Sequence, residues 1–180
     1  MKCVISELKA RTSDPDRVRR YLRDHEARSA GEDEQLDIYF EVARGRLKLR
    51  RGHIENALVH YERPDQARTR ESHVSMTSFR SGTDERLLSD LEETLRRALW
   101  VRIEVRKRRE IYLLDNVRFH LDLVEKLGHF VEIEAIGDVG EVQHLRAQCD
   151  KHRKNLGIST KDLVGGSYSD LLMQSGSQEE

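Results

Sequence analysis

Glu132 and Glu134 stand two residues apart in His129-Phe130-Val131-Glu132-Ile133-Glu134, where apolar and charged residues alternate as in a β-strand. In a strand both carboxylates point the same way, roughly 6–7 Å apart along the chain. That spacing is repulsive when empty, but two such oxygens can share a divalent cation. Asp122 and Glu7 lie in segments of the same alternating kind and can complete an oxygen-ligand set. A basic population follows the same rule: Lys9 and Arg11, then Arg46, Lys48 and Arg50, then Arg63, then Lys107 and Arg109, then Arg118. Two like charges about 6 Å apart at an effective dielectric near 20 repel by roughly 3 kcal/mol. Half a dozen cations around one cavity therefore need interleaved acids or a polyanion. A phosphate-rich ligand with Mg²⁺ or Mn²⁺ at one end of it satisfies both populations.

The elements that must position these residues read as follows. Residues 3–11 alternate, with Ser6, Leu8 and Ala10 on one face and Glu7, Lys9 and Arg11 on the other. Ser13-Asp14-Pro15-Asp16 supplies a cap, an early Pro and first-turn acids for a helix carrying Val18, Tyr21, Leu22 and His25. A polar loop is expected over 30–34, then a hairpin of 36–42 and 45–51, then strands over 56–63 and 72–79. Asp84 caps a helix with Leu87, Leu88, Leu91, Leu95 and Leu99 at helical spacing. Strands over 101–113, 117–124 and 129–136 follow, and a last helix with Val142, Leu145, Cys149 and Leu156 on one side stops at Gly157. About eight strands in hairpins with three main helices indicate an α+β domain or a closed antiparallel barrel. An ordinary barrel packs its apolar face inside. Here the charged faces recur over five strands, which favours an inverted arrangement with apolar faces outward under helices.

The chain has 180 residues, of which 36% are Asp, Glu, Lys or Arg, and its formal net charge is −1. One domain fits that length, and near neutrality excludes a basic or acidic tail as the source of the charge. No stretch reaches the roughly 20 apolar residues of a membrane helix. Met1 to Glu7 lacks a signal-peptide apolar region, and Cys3 and Cys149 form no disulfide framework, so a reducing cytoplasmic location is the expectation.

Taken in order, several segments carry a resemblance. They are Glu7-Leu8-Lys9-Ala10-Arg11, Asp37-Ile38-Tyr39-Phe40, Gly45-Arg46-Leu47-Lys48-Leu49-Arg50, Tyr61-Glu62-Arg63-Pro64-Asp65, Lys107-Arg108-Arg109-Glu110, His120-Leu121-Asp122, Leu127-Gly128-His129-Phe130-Val131-Glu132-Ile133-Glu134 and Ser167-Tyr168-Ser169-Asp170-Leu171-Leu172. Together they resemble the CYTH superfamily of triphosphate tunnel metalloenzymes, in its class IV adenylyl cyclase-like branch. The resemblance implies a single domain over 1–172 and an eight-stranded antiparallel closed β-barrel with helices packed outside; the largely polar residues 173–180 are expected to form a disordered tail. It further implies a small-molecule triphosphate held by Lys9, Arg11, Arg46, Lys48, Arg50, Arg63, Lys107, Arg109 and Arg118. Glu132, Glu134, Asp122 and Glu7 would hold Mg²⁺ or Mn²⁺, and Glu7 and Lys9 would be catalytic. The reaction implied is ATP to 3′,5′-cyclic AMP and pyrophosphate, with a triphosphatase or a noncatalytic binder as alternatives. The sequence departs from the family's Glu-x-Glu-x-Lys signature at its first position, which is Ile5.

Other motifs are weaker. Arg106-Lys107-Arg108-Arg109 resembles a nucleic-acid patch, but Glu104, Glu110 and the near-zero net charge argue against it. Cys149-x-x-His152 lies on the apolar side of a helix without a second ligand pair, so zinc is not expected. His120 shares the presumed inner face with Asp122, either touching phosphate or water or serving as a hydrogen-bonded structural histidine. Tyr168 either caps one tunnel mouth or packs as core. Neither a monomer nor a homodimer is selected.

Overall fold

The computed structural model describes residues 3–62, 70–71 and 73–176. In chain order they form β1 (Cys3–Arg11), α1 (Pro15–Asp24), β2 (Arg28–Phe40), β3 (Arg46–Arg51), β4 (Asn56–Glu62), β5 (Arg70–Glu71), β6 (His73–Phe79), α2 (Glu85–Ala98), β7 (Val101–Leu114), β8 (Val117–Val124), β9 (Gly128–Asp138), α3 (Val142–Asn155) and α4 (Tyr168–Gly176). All pairings are antiparallel, in the order β5-β1-β9-β8-β7-β2-β3-β4-β6. Eight full strands curl through 222° as a half-barrel with the helices outside, an α+β architecture. The expected eight-stranded antiparallel sheet with outer helices is thus present, as a half-barrel and without demonstrated closure. Among the described residues its two ends are linked only through the two-residue β5, which pairs with β1 and stands one residue before β6.

The inverted arrangement is what the packing shows. The convex face carries Leu8 and Ala10 of β1, Phe119 and Leu121 of β8, and Val131 and Ile133 of β9, all buried beneath Val18 and Leu22 of α1 and Leu145 and Cys149 of α3. Farther round, Leu88 of α2 covers Ile38, Phe40 and Leu49. Each such leucine stabilises the fold by about 1.5–3 kcal/mol. Because side chains alternate along a strand, seating these residues outward turns their charged neighbours inward. Asp14 caps α1 by accepting the Arg17 amide at 2.9 Å. Asp84 makes no side-chain cap bond to α2; its carboxylate accepts the Arg80 amide instead, at 2.7 Å. Gly157, at φ +67°, ends α3 as expected.

Two segments differ from the sequence reading. The loop expected over 30–34 is the first half of β2, which pairs with β7 from Arg28 and carries a bulge between Ser29 and Gly31. Its period was illegible because both faces are polar: Glu32 and Glu34 are exposed while Asp33 and Gln35 are buried. Helix α4 was not foreseen, and it extends through residues 173–176, which were assigned to the tail. Residues 177–180 lie outside the described residues.

Candidate functional site

Inside the curl is a cavity of about 390 Å³, lined on its charged side by Glu7, Lys9, Lys48, Arg50, Glu55, Lys107, Arg109, Arg118, His120, Glu132 and Glu134. Register explains the convergence. Lys9 and His120 lie directly opposite Glu132 on its two sides, Glu7 and Arg118 flank Glu134, Arg109 faces Asp122, and Asp37 faces Arg50.

Three groups of acids hold the cations. Asp37, fully buried, accepts from Lys48 at 2.9 Å, Lys107 at 3.0 Å, and Arg50 at 2.8 and 3.0 Å. Burial alone would raise its pKa, but Arg50, Lys107 and Lys48 together hold it well below the usual carboxylate range. Burial, reinforced by Arg50, pushes Lys48 down to about 7. Burial with Arg109 and Arg50 pushes Lys107 down to about 8. Glu55 forms the second group, accepting from Arg50 at 2.9 Å with Arg118 at 3.8 Å and Arg109 at 4.0 Å. Its turn is pinned by Asp33, which accepts the amides of His53, Ile54 and Glu55 at 2.6, 3.0 and 2.9 Å. A Cβ on Gly52 would stand 2.5 Å from an Asp33 oxygen, so only glycine fits there.

The third group joins β7, β8 and β9. Arg109 donates to both oxygens of Asp122, at 2.7 and 2.6 Å, and to Glu132 at 2.7 Å. Lys9 lies 2.9 Å from the other Glu132 oxygen. Burial opposes ionisation of Glu132, yet Lys9 and Arg109 hold its pKa well below normal. The buried Tyr168 hydroxyl donates to Asp122 at 2.8 Å, and the Lys9 ammonium sits 3.6 Å above the Tyr168 ring. Helix α4 thereby seats Tyr168 inside the charged network, where it also packs edge-on to Phe130.

Of the expected phosphate-binding residues, Lys9, Lys48, Arg50, Lys107, Arg109 and Arg118 reach the cavity. Arg11 instead donates to the Leu127 carbonyl at 2.9 Å, and Arg46 pairs with Asp170 at 2.9 Å, both outside the lining. Arg63 lies outside the described residues. Of the expected metal ligands, Glu132 and Glu134 come together with His120, one donor atom from each lying within 4.8 Å of the other two. Glu7 lines the cavity but is not in that cluster, and Asp122 is held beneath it by Arg109 and Tyr168. The donor set suits a divalent ion: two carboxylates and an imidazole facing a polar cavity. Asp37 and Glu55 were missed. Asp37 heads the segment Asp37-Ile38-Tyr39-Phe40 but was given no role there, and Glu55, in a turn, carried no periodic signal.

The opposite wall is apolar. Val59 of β4 and Val74 and Met76 of β6 line the cavity with Ile5 and Ile54.

An antiparallel sheet wrapped around paired cations and carboxylates, with helices on its convex side, defines a charged-cavity α+β protein. The chain belongs to the CYTH domain family, whose model matches residues 6–168. Its fold is similar to that of the PH1012 protein of Pyrococcus horikoshii OT3, at TM-score 0.79 and 26% identity over 93% of this chain and 98% of that one. A candidate adenylate cyclase of Vibrio parahaemolyticus aligns at TM-score 0.77 and 18% identity, over 94% and 97% of the two chains. HpAC1 of Hippeastrum, described as a candidate adenylyl cyclase with a dominant triphosphatase activity, aligns at TM-score 0.63 and 14% identity, over 97% and 96%. No curated protein matches.

Proposed function

We propose that this chain is a divalent-metal-dependent enzyme acting on a triphosphate held in the cavity, in the first reading as a class IV-type adenylyl cyclase. The observation that carries the proposal is the convergence of Lys9, Lys48, Arg50, Lys107, Arg109 and Arg118 on one concave cavity beside Glu132 and Glu134. Arginines orient phosphate oxygens through paired contacts and lysines neutralise charge. Both the attack of a ribose 3′-hydroxyl on the α-phosphorus and the attack of water on the terminal phosphorus need in-line positioning and charge neutralisation. Neither needs a covalent nucleophile. A bound Mg²⁺ or Mn²⁺ would supply Lewis-acid neutralisation of phosphate oxygens, with Glu132 and Glu134 as its holders and Glu7 and Asp122 as nearby acids. Lys9 and Arg109, each already on Glu132, would bring phosphate next to that ion. The apolar wall of Val59, Val74, Met76, Ile5 and Ile54 favours a triphosphate with an organic portion over inorganic tripolyphosphate.

A triphosphatase is the second reading, favoured by the activity described for the Hippeastrum protein. The test incubates the purified chain with ATP, thiamine triphosphate or tripolyphosphate plus Mg²⁺ or Mn²⁺ and identifies products by phosphorus NMR. Cyclic AMP with pyrophosphate supports the cyclase, and orthophosphate supports the triphosphatase. Absence of both products rejects an enzyme and leaves a triphosphate-binding protein.

A further inference from the structure

His120 and Glu132 are directly opposed on β8 and β9, and Glu134 lies one pair along on the same face. The imidazole Nδ1 stands 3.4 Å from a Glu132 oxygen and 3.7 Å from a Glu134 oxygen. Around an ion with bonds near 2.1 Å, ligand atoms lie roughly 3 Å apart when adjacent and about 4.2 Å when opposite. The three donor atoms, all within 4.8 Å of one another, need shifts of about an ångström or less to close on one ion.

Two further observations leave the cluster short of internal partners. His120 is 1% exposed, and its Nε2 has no hydrogen-bond partner among the described residues, so the buried ring is only half satisfied. Glu134 has no Lys or Arg within ion-pair distance among the described residues, although Arg118 is its register partner; Arg118 turns to Glu55. Glu132 gives one oxygen to Lys9 and shares the other between Arg109 and the His120 side, so an ion there would meet an oxygen that Arg109 also contacts. On β1, Glu7 is the register partner of Glu134 and lines the cavity, whereas Ile5, two residues before it, supplies no donor.

We infer that His120 is a nitrogen ligand of the metal site, and that the site therefore selects a first-row transition ion such as Mn²⁺ over Mg²⁺. Mg²⁺ takes oxygen ligands and dehydrates reluctantly, whereas imidazole strengthens binding of transition ions. The inference rests on the metal-dependent reading above and adds to it the ligand that sets ion choice.

The experiment uses the full chain with Mn²⁺ or Mg²⁺ alone, without triphosphate. Pulsed EPR of the Mn²⁺-loaded protein is expected to show nitrogen coupling from a directly bound imidazole. Calorimetry is expected to give Mn²⁺ affinity about tenfold or more above that for Mg²⁺. In His120→Gln the coupling disappears and Mn²⁺ affinity falls about tenfold, while Mg²⁺ affinity stays within about twofold. Mn²⁺ bound without nitrogen coupling overturns the inference and leaves the metal-dependent function intact, as does an equal loss for both ions in the variant. If the variant fails to fold, the wild-type spectrum still decides. No binding of either ion, even with a nonhydrolysable triphosphate added, overturns the inference and the metal-dependent function together.

Discussion

Arg109→Met tests whether the basic side chains stabilise the empty cavity or strain it. From sequence, cations on neighbouring strands are expected to repel, so removing one should leave stability unchanged or raise it. The geometry argues the opposite. Arg109 is 2% exposed and makes three charge-assisted bonds of 2.6–2.7 Å to Asp122 and Glu132. Deleting one member of a buried pair leaves an uncompensated charge and costs about 3–5 kcal/mol. For a domain of this length each kcal/mol lowers Tm by about 2–4 °C, so the variant should melt roughly 6–20 °C lower. Asp122→Leu alone should cost about as much, because it strands the guanidinium. The double variant should recover most of the loss, since Glu132 keeps Lys9 at 2.9 Å. Thermal and urea unfolding followed by circular dichroism give the whole cycle. A single Arg109→Met variant with unchanged or raised Tm would refute the pairing argument and restore repulsion as the dominant effect.

Triphosphate binding should take up protons, because Lys48 and Lys107 are held near 7 and 8 in the empty cavity. At pH 8 they carry roughly 0.1 and 0.5 proton, so full protonation beside phosphate takes up about 1.4; calorimetry in buffers of different ionisation enthalpy measures this, and zero uptake contradicts it. For the apo protein, unfolded Lys48 binds a proton that folded Lys48 lacks between about pH 7 and its ordinary 10.5, so its contribution to stability rises with pH across that window. Glu134→Ala should abolish metal-dependent stabilisation while leaving apo Tm within about 1 °C, whereas Glu132→Ala should lower apo Tm as well because it strands Lys9 and Arg109. Asp37→Asn should lower apo Tm yet enlarge the Tm rise caused by tripolyphosphate, since the carboxylate competes with phosphate for Lys48, Arg50 and Lys107; an unchanged rise removes that competition. Ile5→Glu should tighten Mn²⁺ binding in calorimetry, and no gain would show that the cavity is built around Ile5.

The strands that line the cavity were legible where one face is apolar. Leu8, Ala10, Ile133 and Phe119 alternate with charged residues, and burying the first set outward forces the second inward. The same logic failed in the first half of β2, where Glu32 and Glu34 face out while Asp33 and Gln35 face in, leaving no polarity difference to read. Which end of a side chain meets which partner was beyond periodicity. Arg11 and Arg46 obey the inward pattern, yet they are drawn to the Leu127 carbonyl and Asp170 at the ends of their strands. Glu55 was invisible because a turn fixes its direction, and that turn depends on Asp33, 22 residues earlier. The apolar wall was hidden for a related reason: Val59, Val74 and Met76 follow the expected alternation but carry no charge to flag the inward face.

The acids that sequence reasoning placed only at the metal end prove to be distributed through the whole lining. Asp37 gathers two lysines and an arginine, Glu55 sits among three arginines, and Asp122 with Glu132 holds Arg109. Such pairing lets the cavity fold without ligand, because no large cluster of cations is left uncompensated in low dielectric. It also fixes the cations in place, so that a phosphate chain would exchange one set of oxygens for another rather than gather flexible side chains from solvent. Affinity is then a difference between phosphate and carboxylate as partners, and it will be modest wherever the internal acid is well placed. Glu134 breaks the pattern. Among the described residues no Lys or Arg lies within ion-pair distance of it, and under the proposed function that carboxylate would separate a site for metal and phosphate together from one for an anion alone.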